Sequence, residues 1–211
     1  MGLDPNTDSI LCDDLDLNVT SHLQEGLRNI FAISNCPRLW VDAICINQAS
    51  DIEKAPQVAK MHHIYRKAKG IYVWLGRAED QSDEAITAIK DVVIPPDTDK
   101  EFPFRMTSFK SRAQQLFDVS LFKSVAALSR RTWFRRLWIA QEYFYSQSVE
   151  FLCGTETVDG SKLLQVLNNL SLYSFSRPEP PGYQEEKALF LGFQVLTDLN
   201  KVKEMHRGVN N

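Results

Sequence analysis

A chain of 211 residues, 44% hydrophobic and 24% charged, is long enough to bury a full core and has the balance of a globular protein. A net charge of −3 gives no overall attraction to nucleic acid or to an anionic membrane, and no apolar run approaches the roughly 20 residues that span a bilayer. The four cysteines, Cys12, Cys36, Cys45 and Cys153, contain no CxxC pair, and no basic-then-apolar leader pattern opens the sequence. The expectation is a cytoplasmic protein with reduced thiols and no metal site.

In chain order, Ser9 to Thr20 reads as a short extended piece, with Asp13 and Asp14 at a turn and Leu15, Leu17 and Val19 alternating with polar residues. Leu23, Leu27 and Ile30 then predict a helix, closed by Asn35, Cys36 and Pro37. Leu39 to Ile46 (LWVDAICI) is a nearly continuous apolar run, as expected of a strand covered on both faces. Ser50 and Glu53 have capping-box spacing, and Val58, Met61, Tyr65 and Ala68 form the apolar stripe of the next helix, with Pro56 near its start and Gly70 as its stop. Ile71 to Leu75 (IYVWL) predicts a second buried strand.

From Arg77 to Leu128 the pattern weakens, with helices expected over 83–93 and 111–128 and a firm break at Ile94-Pro95-Pro96-Asp97. This stretch reads as a helical insertion. Arg130 to Ser146 predicts one continuous helix, with Trp133, Leu137, Ala140 and Phe144 along a stripe. Val149 to Cys153 predicts a strand, Ser161 to Leu172 a helix, and Glu185 to Glu204 a last helix after the proline-rich 177–183. The alternation of helices and strands argues for an α/β doubly wound sheet.

Three stretches carry a family likeness: LWVDAICINQ at 39–48, then QVAKMHHIYRKAKGIYVWLG at 57–76, then RRTWFRRLWIAQE at 130–142 leading into VEFLCG at 149–154. In this order they resemble the heterokaryon-incompatibility domain of filamentous fungi, a module of non-self recognition and programmed cell death. The family is thought to be related to the Toll/interleukin-1 receptor (TIR) fold. The resemblance therefore implies a three-layer, TIR/flavodoxin-like, mostly parallel sheet with helices on both faces. The expected domain covers residues 9–172, with 77–128 as the insertion and 173–211 as a C-terminal helical extension and tail. Family members begin with a strand of the type Tyr-x-Ala-Leu-Ser-Tyr-x-Trp-Gly, which is absent before Ser9. Either the segment Ser9–Thr20 takes that place or the chain is a truncated or degenerate copy.

The TIR likeness also implies a chemistry. In enzymes of that fold, a glutamate four residues after a tryptophan cleaves NAD at the nicotinamide–ribose bond. Trp138 and Glu142 have that spacing, which places two side chains on one face of a continuous helix. Breaking the bond develops oxocarbenium charge on the ribose, which a carboxylate stabilises or traps; nicotinamide leaves as a neutral base and needs no acid. Glu142 is thus the candidate catalytic residue, with NAD as substrate rather than cofactor. The plain alternative is an ion pair with Arg135 or Arg136.

Asp42 is the lone charge in an apolar run, so it either faces a ligand crevice or bonds structurally to backbone amides or an arginine. Asn47 and Gln48 are candidates for ribose or phosphate contacts, or for turn formation. Arg135, within the cluster Arg130, Arg131, Arg135 and Arg136, has the fork geometry for a pyrophosphate, against the plainer reading of a solvated face. Cys45 with His62 or His63 is a weaker hydrolase candidate, because a cysteine inside an apolar run packs inertly. Two functions therefore stand open. One is a death effector that cleaves NAD; the other is a non-catalytic module that signals by self-association or through a recognition protein.

Overall fold

The structure, a computed structural model, describes residues 7–34, 38–92, 119–136 and 139–175. The breaks expected at 35–37 and 94–97, the residues Leu137 and Trp138, the first part of the 111–128 helix, and everything beyond 175 lie outside the described residues. The chain divides into two compact units, Met1–Lys67 and Ala68–Asn211.

The first unit opens with strands β1 (Thr7–Cys12) and β2 (Leu15–Thr20), paired antiparallel with Cys12 opposite Leu15. Asp13 and Asp14 make the two-residue turn with φ of +48° and +63°. Left-handed backbone at both positions matches the twist of the flanking strands, and aspartate tolerates it better than most residues. The extended piece expected over 9–20 is thus a hairpin, and it forms a two-stranded sheet of its own.

Helix α1 (Ser21–Ile33) follows directly, with the Thr20 hydroxyl accepting from the Leu23 amide at 3.2 Å. Such a cap satisfies one of the orphan donors of the first turn. Ile30 is buried, as its stripe predicts.

The strand expected at 39–46 does not form. Residues 38–41 have no regular structure, and Asp42–Cys45 is a single helical turn, α2, held by Cys45 N–H to Val41 C=O at 2.8 Å and Ile46 N–H to Asp42 C=O at 3.2 Å. Asp42 is the reason. At the first helical position its Oδ1 accepts the Ala43 amide at 2.8 Å, as aspartate does at helix starts. A short apolar run does not by itself separate strand from helix.

Helix α3 (Asp51–Lys67) begins as its capping box predicts, with Glu53 N–H donating to Ser50 Oγ at 3.3 Å. The return bond goes elsewhere, because Glu53 Oε1 accepts the Asn47 amide at 3.1 Å. Met61 and Tyr65 supply its buried face, and Trp40 meets Tyr65 edge-on at 6.1 Å.

The second unit contains a three-stranded mixed sheet in the order β3 (Ile71–Trp74), β4 (Val149–Cys153), β5 (Glu156–Asp159). β3 and β4 are parallel, as an α/β crossover requires, while β4 and β5 are antiparallel across the Gly154-Thr155 turn. The sheet is therefore mixed, with parallel pairing in one strand pair among the described residues rather than the mostly parallel order expected. β4 is central and covered on both faces: Phe151 and Cys153 point one way and Leu152 the other, all at 1% exposure or less. Gly154 ends the strand at φ +57°, where a Cβ would lie 3.0 Å from that of Ala78.

Helices α4 (Ser82–Asp91), α5 (Val119–Ser129) and α7 (Gly160–Phe175) complete this unit, with α4 against α5 and β5, and α7 against β4, β5 and α4. Asp159 Oδ1 accepts the Lys162 amide at 3.1 Å and so starts α7. Ala85, Ile86, Ile89, Val125 and Leu128, from the stretch expected to be an insertion, share one core with Phe151, Leu163 and Leu167. Burying each such side chain is worth about 1.5–3 kcal/mol for the larger ones. No helix among the described residues is long and apolar enough to cross a membrane.

Candidate functional site

The helix expected over 130–146 is broken. Thr132–Arg135 is a 3-10 turn, closed by Phe134 N–H to Arg131 C=O and Arg136 N–H to Trp133 C=O, both at 3.1 Å. Arg136 then runs extended at φ −79°, ψ 140°, and helix α6 is described over Ile139–Tyr145. The 3-10 turn is anchored at its start, where the Arg131 guanidinium donates to the Glu79 carbonyl at 3.2 Å and lies 3.6 Å from its carboxylate.

This break brings Trp133 and Glu142 together. Nε1 of Trp133 donates to Oε2 of Glu142 at 2.8 Å, and both residues are buried. On one continuous helix nine residues span about 13 Å of axis, so the bond requires the change of direction. The other carboxylate oxygen, Oε1, lies 3.5 Å from the Arg136 guanidinium, which is about half exposed. The Trp133 ring is fixed edge-on against Phe134 at 5.1 Å and Phe151 at 4.9 Å, which ties the site to the central strand. A buried carboxylate needs such partners, since desolvating it alone is costly.

The remaining predicted residues have other places. Asp42, Asn47 and Gln48 lie together in the first unit, and each is used in local structure. Asn47 Oδ1 accepts the Ala49 amide at 3.0 Å, an Asx turn. Gln48 Nε2 donates to the Asp42 and Ile46 carbonyls at 2.9 and 3.1 Å, closing the end of α2. Glu142 belongs to the second unit. Arg135 ends the 3-10 turn, and Trp138 falls outside the described residues. The pairing with Arg135 or Arg136 expected of a structural Glu142 forms with Arg136, although Glu142 is more buried than a surface glutamate.

Cys45 is exposed rather than packed inside a strand, and the His62 and His63 rings lie against each other at 3.9 Å. Among the described residues no group of three or more His, Cys, Asp or Glu could hold a metal ion. Cys153 is buried, donates to Ser82 Oγ at 3.2 Å, and has its thiol pKa raised, chiefly by burial and against that hydrogen bond. Trp133, expected only as core, is the residue whose role sequence reasoning missed. No local signal marks it, since its partner lies nine residues on rather than at a helical spacing.

The family described as Heterokaryon incompatibility protein (HET) matches residues 2–142, a stretch that ends on Glu142. The chain belongs to the heterokaryon-incompatibility family. It is similar to the protein of Neurospora crassa named Heterokaryon incompatibility protein 6, OR allele, at 29% identity over 180 residues, covering 74% of this chain and 26% of that protein. The chain thus spans about a quarter of the length of that curated relative. No solved structure matches. Within the HET family match lie the described elements from β1 to the 3-10 turn and the first part of α6, so both the Asp42 region and the Trp133–Glu142 contact fall inside it.

Proposed function

We propose that this chain acts in fungal heterokaryon incompatibility as a self-associating interaction module, with Glu142 serving as a clamp that holds the 3-10 turn to α6. Membership of the HET family and the name of its Neurospora relative support the biological setting. The observation that carries the non-catalytic part is the state of Glu142: both carboxylate oxygens face partners in its own chain, Trp133 on one and Arg136 on the other. A carboxylate that stabilises a ribosyl cation must instead present an oxygen to the sugar. Sedimentation of the purified chain across a concentration series, run beside an assay for nicotinamide release, tests the reading. Concentration-dependent association without NAD turnover is the expected result; a strict monomer that releases nicotinamide would overturn it.

A second reading, NAD cleavage through Glu142 leading to cell death as in TIR-type enzymes, is favoured by one observation. Arg136 is 46% exposed and its pairing with Glu142, at 3.5 Å, is long for a charged hydrogen bond. In this reading Arg136 turns out to meet the pyrophosphate and frees Oε1 for the ribose, with Trp138 and Arg135 as further substrate contacts. Loss of nicotinamide release in a folded Glu142→Gln chain would support it.

A further inference from the structure

The hairpin's apolar face runs past the structure that covers it. Cross-strand partners share a face, so Val19, Leu17, Ile10, Leu15 and Cys12 line one side of β1–β2. Along that side burial falls steadily: Val19 is 7% exposed, Ile10 and Leu17 are half-buried, and Leu15 at the tip is 72% exposed. Leu11 stands 71% exposed on the opposite face. The tip is also acidic. Asp13, Asp14 and Asp16 surround the leucines, and no base occurs between Thr7 and Thr20.

The same unit carries the complement. Opposite the buried Met61, the outward face of α3 presents Ile52, Pro56 and Ala59 followed by Lys60, His63 and Lys67, all exposed. Helical spacing puts these residues within one broad stripe; Asp51 falls outside it, and Glu53, at its edge two turns before Lys60, has its carboxylate engaged by the Asn47 amide. Ile52 is 90% exposed. One surface is therefore apolar and acidic, the other apolar and basic. Pairing two tips across a two-fold axis would set aspartate against aspartate, so like charge disfavours the symmetric arrangement.

We propose that the hairpin tip of one copy docks on the outward face of α3 of a second copy, joining chains head to tail. Leu15, with Leu17 behind it on the same face, covers Ile52 and Pro56, while the tip aspartates meet Lys60 and Lys67. A heterologous contact of this kind leaves one free surface at each end, so copies add until a ring closes or a filament grows. The inference rests on the self-association reading and specifies its surface.

The test is a charge swap in the full chain, read by sedimentation velocity. One variant carries Asp13→Lys with Asp14→Lys; the other carries Lys60→Glu with Lys67→Glu. Each alone should associate at least about tenfold more weakly than the natural chain, and an equimolar mixture should recover association, because opposite charges meet again at every junction. Raising the salt to about 0.5 M should weaken the natural assembly. Leu15→Ser should weaken association with the charges intact. A natural chain that associates while neither swap has an effect would overturn this surface and leave the self-association reading standing. A natural chain that stays monomeric at every concentration would overturn both.

Discussion

Trp133 and Glu142 are nine residues apart in sequence and joined by a 2.8 Å hydrogen bond between indole nitrogen and carboxylate. The bond exists because Arg136 leaves the helical path, and it ties the 3-10 turn, α6 and the central strand into one cluster. Glu142 is thereby a part of the core's boundary as much as a candidate for chemistry.

Removing either partner leaves the other buried without its mate. Glu142→Ala and Trp133→Phe should each destabilise the chain by about 1–3 kcal/mol, since an unsatisfied buried polar group bears its full desolvation penalty. Urea unfolding of both single variants and the double variant forms a cycle whose coupling should be about 1 kcal/mol or more. Additive effects would show that the bond contributes little. Arg136→Gln, at a half-exposed ion pair, should cost only about 0.2–1 kcal/mol.

The core and the outward face of α3 should respond very differently to truncation. Phe151→Ala removes a fully buried ring from the central strand and should cost about 3–5 kcal/mol. Ile52→Ala, at a residue 90% exposed, should change stability by less than about 0.5 kcal/mol. Equal shifts in the two unfolding midpoints would contradict the burial seen here.

The Asp13-Asp14 turn holds two left-handed residues without a glycine. Asp14→Gly removes the Cβ penalty and should stabilise the hairpin by a few tenths to about 1 kcal/mol. Asp14→Val, β-branched at positive φ, should destabilise it by about 1–2 kcal/mol. Amide hydrogen exchange across Cys12 to Thr20 reads both effects.

Cys153 gives a pH signature. Burial raises its thiol pKa, so the folded chain keeps the proton where the unfolded chain has lost it. Its contribution to stability is present below the ordinary thiol value of 9.0 and declines as pH rises through and beyond it. Cys153→Ala should flatten that alkaline decline. In the folded chain Cys12 and Cys45 should react with a thiol reagent well before Cys153, which mass spectrometry can follow.

Much of this architecture is written in local pattern. VEFLC gives β4 at its observed ends, and Ser50 with Glu53 gives the start of α3, because burial on two faces and a capping box each leave a short-range mark. Two errors share one cause. LWVDAICI and RRTWFRRLWIAQE have the composition of a strand and a helix, but Asp42 nucleates a turn and Arg136 breaks the helix, and neither event follows from apolar spacing. The strand β5 (ETVD) is too short and polar to stand out; it is placed by pairing with β4. The Trp133–Glu142 bond was hidden for the same reason, since a contact across nine residues is invisible to a search for neighbours four apart.

The central claim is that Glu142 works as a clamp and the chain as an assembling module. It is tested most directly by following nicotinamide release from NAD by the purified natural chain and by Glu142→Gln, with unfolding midpoints measured on the same samples. The expected result is no release above the buffer rate from either protein and a lowered midpoint in the variant. Release by the natural chain that disappears in a variant of unchanged stability would contradict the claim and make Glu142 catalytic.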